Sequence, residues 1–431
     1  MKKFVVVLLA LFLAIPVAAY AGSVTSKYDV TIGGYVKMDV GWQNQNLGPD
    51  YSAATRGSLS NNQNLLDQYG SLYWYAGETR LNLGIKGPDA WGAKTSAFIE
   101  GDFRGASVNT TAGVFELRHA FMRFDWARDS LLIGQYWNDW GYIPSFYIVG
   151  NGDLNPMGRG ARQPQIRWTH TWNKNFSGFA GVYSEYNTLA GGTITANSQN
   201  DNARSLMPHF MGEFKWQTDS LGKIGPWLTQ FAIGGFYGQE KKTYVNSTGS
   251  SYSDDNVNSW TVALKGYIPI IPEKKGNKTG AFSFSGAAFM GQNNGLYYTS
   301  GPASSYDAAL NPNAAYYSAA ATINYGGWGQ LSYYFTDNIW INGIYGTFSN
   351  NFNPNTFRAA AIGANAIRTN QHMFLNILYD ISPAVRLGIE YARVMTGYAA
   401  YGPLATGATP ASNLDRSGTM DSVRAAAWYF F

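Results

Sequence analysis

No cysteine occurs in the 431 residues, which removes disulfides, thiolate metal centres and c-type haem attachment together. Charge is scarce as well: Asp, Glu, Lys and Arg make up 13% of the chain, against about 25% in ordinary soluble proteins. Beyond the N-terminal segment there is no apolar run of the roughly 20 residues that a membrane-crossing helix needs. Neither sign of charge prevails, since setting aside Lys2 and Lys3 leaves 29 basic residues against 27 acidic ones. That balance gives no electrostatic footprint for nucleic acid. His119, His170, His209 and His372 are the four histidines, far apart and without metal-ligand spacing. G-x-S-x-G, P-loop and H-E-x-x-H patterns are all missing. Asn151, Asp153 and Asn155 imitate the start of a calcium loop, but Arg162 stands where the acidic twelfth ligand belongs, so a loop turn is the better reading. No catalytic residue, metal or cofactor is expected.

What the chain does have is aromatic residues, 16% of the total, and 49 glycines. In "VTIGGYVKMDVGW", Val30, Ile32, Val36, Met38, Val40 and Trp42 alternate with Thr31, Gly33, Lys37, Asp39 and Gly41. Period two marks a strand with a different solvent on each side. The pattern returns in "ETRLNLGIKG", where Leu81, Leu83 and Ile85 oppose Glu78, Arg80, Asn82 and Lys86, and in "KTSAFIEGDFR", where Ile99 and Phe103 oppose Glu100, Asp102 and Arg104. About sixteen such segments can be counted from 30–42 to 420–431, an even number, as an antiparallel barrel with both ends on one side requires. The segment 318–335 is the hardest to place, because Gly326-Gly327 could hold a turn.

Targeting and loop lengths decide which side meets which solvent. Lys2 and Lys3, the apolar run Phe4 to Ile15 and the Ala19-Tyr20-Ala21 site predict a signal peptide over 1–21, leaving a single β-barrel domain over 22–431. Short connections such as 127–129, 173–175, 336–338 and 381–383 alternate with long polar ones such as 43–70, 138–163, 240–257 and 396–419. Short periplasmic turns and long external loops are the sidedness of a transmembrane antiparallel barrel in an outer membrane. Trp126, Trp172, Trp216, Trp227, Phe335 and Trp340 sit beside short turns, and Trp42, Tyr237 and Trp260 near the other ends, as two interfacial girdles would. A strand of about 12 residues rising about 3.3 Å each and tilted about 45° spans roughly 28 Å, the height of a barrel's apolar band. Lipid then meets the apolar faces. Lys37 and Asp39 face a water-filled lumen.

The final "DSVRAAAWYFF", ending on Phe431, resembles the C-terminal signal strand of outer-membrane barrels. The ordered run of "RLNLGIKG", "IEGDFRG", "ELRHAF", "LLIGQYWNDWG" and "RQPQIRWTHTW", over 79–172, is similar to the landmarks of Gram-negative porins, and most of all to the DcaP-like trimeric porins. The resemblance implies a homotrimer of 16-stranded barrels in the Gram-negative outer membrane. It also implies a third external loop, at 138–163, folded into each pore, and passive diffusion of small hydrophilic solutes with a leaning toward anions. The partners would be outer-membrane lipid, sister subunits and those solutes. Two other functions stay open: a barrel scaffold or sheath for a partner protein, and a barrel enzyme with Ser and His on its outer face.

Strand phase supplies the candidate pore-lining and constriction residues. Arg80, Glu100, Asp102, Arg104, Glu116, Arg118 and Arg167 fall on inward positions of early strands, and the third loop adds Asp153, Arg159 and Arg162. Acidic and basic walls facing each other would set a transverse field across a narrow passage. The competing expectation is that Glu100, Asp102 and Glu116 neutralise these arginines within one wall. Lys265, Arg386, Glu390 and Arg424 are inward charges further along the chain. His119 and Arg123 fall on the apolar phase of their strand, which calls for a bulge or a subunit contact, and Arg393 raises the same question.

Overall fold

The computed structural model describes residues 28–49, 53–55, 69–105, 113–138, 149–150, 162–183, 205–245, 252–292, 305–308, 318–321, 323–351, 367–398 and 417–431. The leader expected at 1–21 lies outside them, as do Asp153 and Arg159.

Period-two alternation becomes strand throughout. The chain runs β1 (Asp29–Gln43), β2 (Ser71–Tyr75), β3 (Arg80–Lys86), β4 (Lys94–Gly105), β5 (Val114–Asp125) and β6 (Asp129–Trp137). It continues through β7 (Arg162–Thr171), β8 (Phe176–Tyr183), β9 (His209–Ile224), β10 (Trp227–Val245), β11 (Tyr252–Ile271) and β12 (Phe282–Gln292). After a small hairpin of β13 (Ser305–Ala308) and β14 (Ser318–Ala321) come β15 (Ile323–Tyr334), β16 (Ile339–Asn351), β17 (Ile367–Ser382), β18 (Val385–Tyr398) and β19 (Ser417–Phe430). Apart from the hairpin, the strands form one 17-stranded sheet. Because β2 and β3 both pair with β1, on its second and first halves, they fill one position, and the barrel has sixteen. Closure is antiparallel: Tyr35 to Gln43 of β1 pair with Phe430 to Ser422 of β19.

Gly34 sits at the seam with φ +147°, where a Cβ would overlap the carbonyl oxygen of Arg80, so only glycine lets β1 pass so close to β3. Gly34 and Phe431 exchange main-chain hydrogen bonds of 3.1 and 3.2 Å, fastening the last residue to the seam.

Two expected elements change. Residues 318–321 pair with 305–308 instead of joining the barrel, which is re-entered at Ile323, and Gly326-Gly327 runs on as strand against Phe348 and Thr347. The loop expected over 240–257 shrinks because β10 and β11 stay paired out to Val245 and Tyr252.

Outward positions are apolar and exposed in the isolated chain: Ile32 at 69%, Leu264 at 57%, Ile389 at 53%. Each such side chain gains about 1.5–3 kcal/mol when removed from water, so a hydrocarbon surround is the solvent that suits this face. Trp42, Trp172, Tyr237 and Phe335 are exposed as a girdle requires. Trp340 is not: it lies on the phase of Asn342, Ile344 and Phe348, buried inside, with the Arg386 guanidinium 5.0 Å from its ring.

The irregular phase of β5 has a single cause. Glu100 pairs with His119 but Gly101 with Leu117, so Arg118 is an extra residue, and Arg118 and His119 are both buried. This bulge turns His119, Phe121, Arg123 and Asp125 toward the lumen. Arg393 stays outward and is paired with Asp421 at 2.9 Å, and Tyr391 donates to the same carboxylate.

Candidate pore and its lining

Three adjoining strands carry most of the early-strand charges. On β3, β4 and β5 the inward residues meet in one cross-strand network. Arg118 binds Asp102 at 2.5 Å and Glu100 at 3.2 Å, and Arg80 reaches Glu100 at 3.5 Å. Arg162, at the start of β7, lies 3.5 Å from Glu116 and 5.2 Å from the Trp137 ring. The main-chain N–H of Arg104 donates to Asp102 at 3.2 Å. Arg167 lies further toward the short turns, 4.9 Å from the ring centres of both Tyr136 and Phe179. Acids and bases thus interleave along one wall instead of facing each other across the lumen. Arg118 and Asp102 are fully buried, so they tie strands together more than they touch solvent. A buried pair of this kind holds only because the carboxylates are matched; left alone, each would carry several kcal/mol of desolvation cost.

A second cluster lies at the seam. The break between β2 and β3 drops Glu78 inward, where its carboxylate pairs with Lys37 of β1, and Lys37 also sits 3.2 Å from Asp39. From the far side of the seam, Arg424 of β19 donates to Tyr73 at 2.8 Å and to the carbonyl of Pro49 in the first connection. Ala54 of that same connection is held by Thr396 and Tyr398 of β18.

Two residues of the third connection bond to this cluster. Lys37 Nζ donates to the Val149 carbonyl at 2.8 Å, while the Val149 and Gly150 N–H groups donate to the two carboxylate oxygens of Glu390 at 2.8 and 3.1 Å. Asn376 donates to Glu390 at 2.9 Å and accepts from Asn342 at 2.7 Å, extending the ladder over β16, β17 and β18. The third connection leaves the barrel between β6 and β7, several strands from this anchor. Lys37, Glu78, Glu390 and Arg424 were legible as inward charges. Their loop partners were not, since nothing in "SFYIVGNGD" marks a main-chain anchor point.

The four histidines sit on β5, β7, β9 and β17. Among the described residues no three His, Asp or Glu side chains are grouped to hold a metal.

A closed sixteen-position antiparallel barrel, apolar outside, lined inside by charged and polar side chains together with buried apolar clusters, and short-turned at one end, defines the fold class of outer-membrane channels. The chain superposes on the outer-membrane channel DcaP of Acinetobacter baumannii with a TM-score of 0.67 at 17% identity, over 94% of this chain and 99% of that one. It is similar to the anion-selective porin from Comamonas acidovorans, with TM-score 0.52, 11% identity and coverage of 94% and 100%. It is also similar to Salmonella typhi OmpF in complex with daunomycin, with TM-score 0.51, 11% identity and coverage of 93% and 97%. No family profile and no curated relative matches the sequence. At such identities the likeness is one of fold.

Proposed function

We propose that this chain is a porin of the Gram-negative outer membrane, a non-enzymatic channel for passive diffusion of small hydrophilic solutes that works as a homotrimer. The observation that carries the reading is the anchoring of Val149 and Gly150 to Lys37 and Glu390, inside a barrel whose outward face is apolar. A connection tied to the lumenal wall narrows a passage; a scaffold or sheath has no use for one. The third connection, 138–163, is the constriction in this reading, and Arg80, Glu100, Asp102, Arg104, Glu116, Arg118, Arg162 and Arg167, with Asp153 and Arg159 from the loop, line the way to it. The leaning is toward anions, through Arg159, Arg162 and Arg167 instead of the wall tie Arg118.

Purified protein in a planar bilayer under a salt gradient tests this. Ohmic, stepwise conductance with an anion-signed reversal potential is expected. Arg159→Gln with Arg162→Gln should move the potential toward cations. Absence of conductance would favour a scaffold awaiting its partner, and cation selectivity at neutral pH would overturn the anion leaning.

A further inference from the structure

On the outward face of β11, β12 and β15 the apolar surface lacks a layer of side chains. Gly266 pairs with Gly286 and Gly286 with Gly329, and in the next outward row toward the long loops Leu264 stands opposite Ala288 and Ala288 opposite Gly327. Glycine inside a strand gives up packing and marks places where something approaches closely. At Gly286 the backbone itself demands it, since a Cβ would lie 2.6 Å from the Trp328 carbonyl oxygen. Rings border the hollow: Trp216 and Phe231 stack at 6.0 Å on one side, and Phe284 stands toward the short turns. The result is an open trench of about 590 Å³ on the surface that faces hydrocarbon. An acyl chain lying in it restores the dispersion contacts that the missing side chains forgo.

Charge at the periplasmic end of the same strands says what heads that chain. The connections at 173–175, 217–226, 272–281 and 336–338 carry five lysines, Lys174, Lys223, Lys274, Lys275 and Lys278, against the three carboxylates of Asp219, Glu273 and Asp337. Glu273 is already engaged, accepting the Gly225 N–H at 2.6 Å with Lys223 at 3.9 Å. Lys274 and Lys275 are exposed and meet no carboxylate among the described residues. Elsewhere at this end Lys94 is matched by Asp89 at 2.7 Å and Arg386 by Asp380 at 2.6 Å. Gly266 lies five residues before the end of β11 at Ile271, so at about 3.3 Å per residue and about 45° of tilt the trench begins roughly 12 Å into the band from these turns. A phospholipid covers that span, with its phosphate at the headgroup level beside the lysines and an acyl chain in the trench. A zwitterionic headgroup offsets its phosphate with its own ammonium. An anionic one leaves its charge for the lysines.

We propose that this face is a docking site for an anionic phospholipid of the inner leaflet, its acyl chain in the trench over Gly266, Gly286 and Ala288 and its phosphate at Lys274 and Lys275. The test uses the processed full chain in uncharged detergent and follows retained lipid by native mass spectrometry, with phosphatidylglycerol, phosphatidylcholine of identical chains and glycerol 3-phosphate as probes. Phosphatidylglycerol should be held about tenfold or more tightly than phosphatidylcholine, and glycerol 3-phosphate should not be retained. Lys274→Gln with Lys275→Gln should remove that advantage and leave phosphatidylcholine unchanged. Ala288→Phe, whose ring points outward into the trench, should weaken both lipids roughly tenfold; Ala288→Leu repeats the test should the larger residue not assemble. Equal retention of the two lipids, glycerol 3-phosphate retained as well as phosphatidylglycerol, or phosphatidylglycerol unmoved by either the lysine or the trench variants would overturn the site. Dissociation of the oligomer by Ala288→Phe with lipid retention intact would give the trench to a sister subunit and overturn it as well. None of these readouts involves conductance, so the channel reading stands or falls separately.

Discussion

Removing the Glu390 carboxylate isolates the contact on which the pore reading turns. Glu390 receives two main-chain N–H groups of the third connection at 2.8 and 3.1 Å and the Asn376 amide at 2.9 Å, all from buried positions. Hydrogen bonds to an ionised acceptor contribute about 1.5–3 kcal/mol each, and neutral ones about 1 kcal/mol. Glu390→Gln keeps one acceptor oxygen and turns an NH2 toward a donor, so the anchor should weaken by about 2–4 kcal/mol, roughly thirtyfold or more in the ratio of anchored to released loop. Glu390→Ala removes the anchor from this side, leaving, among the described residues, Lys37 on the Val149 carbonyl. The barrel itself should persist, because the β17–β18 and β18–β19 ladders are main-chain bonds that the side chain does not enter.

The assay is single-channel recording in planar bilayers, paired with liposome swelling using sugars of increasing size. The parent should give a quiet open level. Glu390→Gln should give a noisier one, and Glu390→Ala a larger conductance and a higher size limit, with Lys37→Met acting in the same direction. If both Glu390 variants match the parent in conductance, noise and size limit while remaining folded, the third connection does not set the passage, and the argument from its anchoring fails.

Two further substitutions test the wall and its outer face. Arg118→Ala leaves Glu100 and Asp102 buried without their shared cation, which should destabilise the barrel by about 3–5 kcal/mol; the temperature at which the folded band is lost in a detergent gel should drop, and an unchanged temperature would show the network to be ornamental. Ile389→Arg places a cation on the outward face of β18 near mid-height, where it should cost about 2–4 kcal/mol in lipid. The folded fraction on refolding into liposomes reads this out, and parity with the parent would mean that this face does not meet hydrocarbon.

The barrel was legible because period two is a local signal, and each strand announces its two faces within a dozen residues. Where the reading failed, partners outside the strand's own span decided. Nothing local tells residues 318–321 to pair with 305–308, and nothing near Trp340 says that Arg386 will cover its ring on the inside. The β5 bulge shows the boundary between the two cases. Its need was visible in His119 and Arg123, but its position at Arg118 follows from Glu100 and Asp102 both requiring that guanidinium, a demand made by the neighbouring strand. The candidate pore divides in the same way. Strand phase identified Arg80, Glu100, Asp102, Glu116 and Arg118 as inward, yet phase cannot say whether opposite charges will face each other or interleave. Here β3, β4 and β5 are hydrogen-bonded neighbours, so their inward charges stand about one strand spacing of roughly 5 Å apart, and Glu100 and Asp102 both meet Arg118 on the next strand. Pairing between neighbouring strands then accounts for these charges, and the wall continues through Arg162, beside Glu116 and Trp137, to Arg167 between the rings of Tyr136 and Phe179.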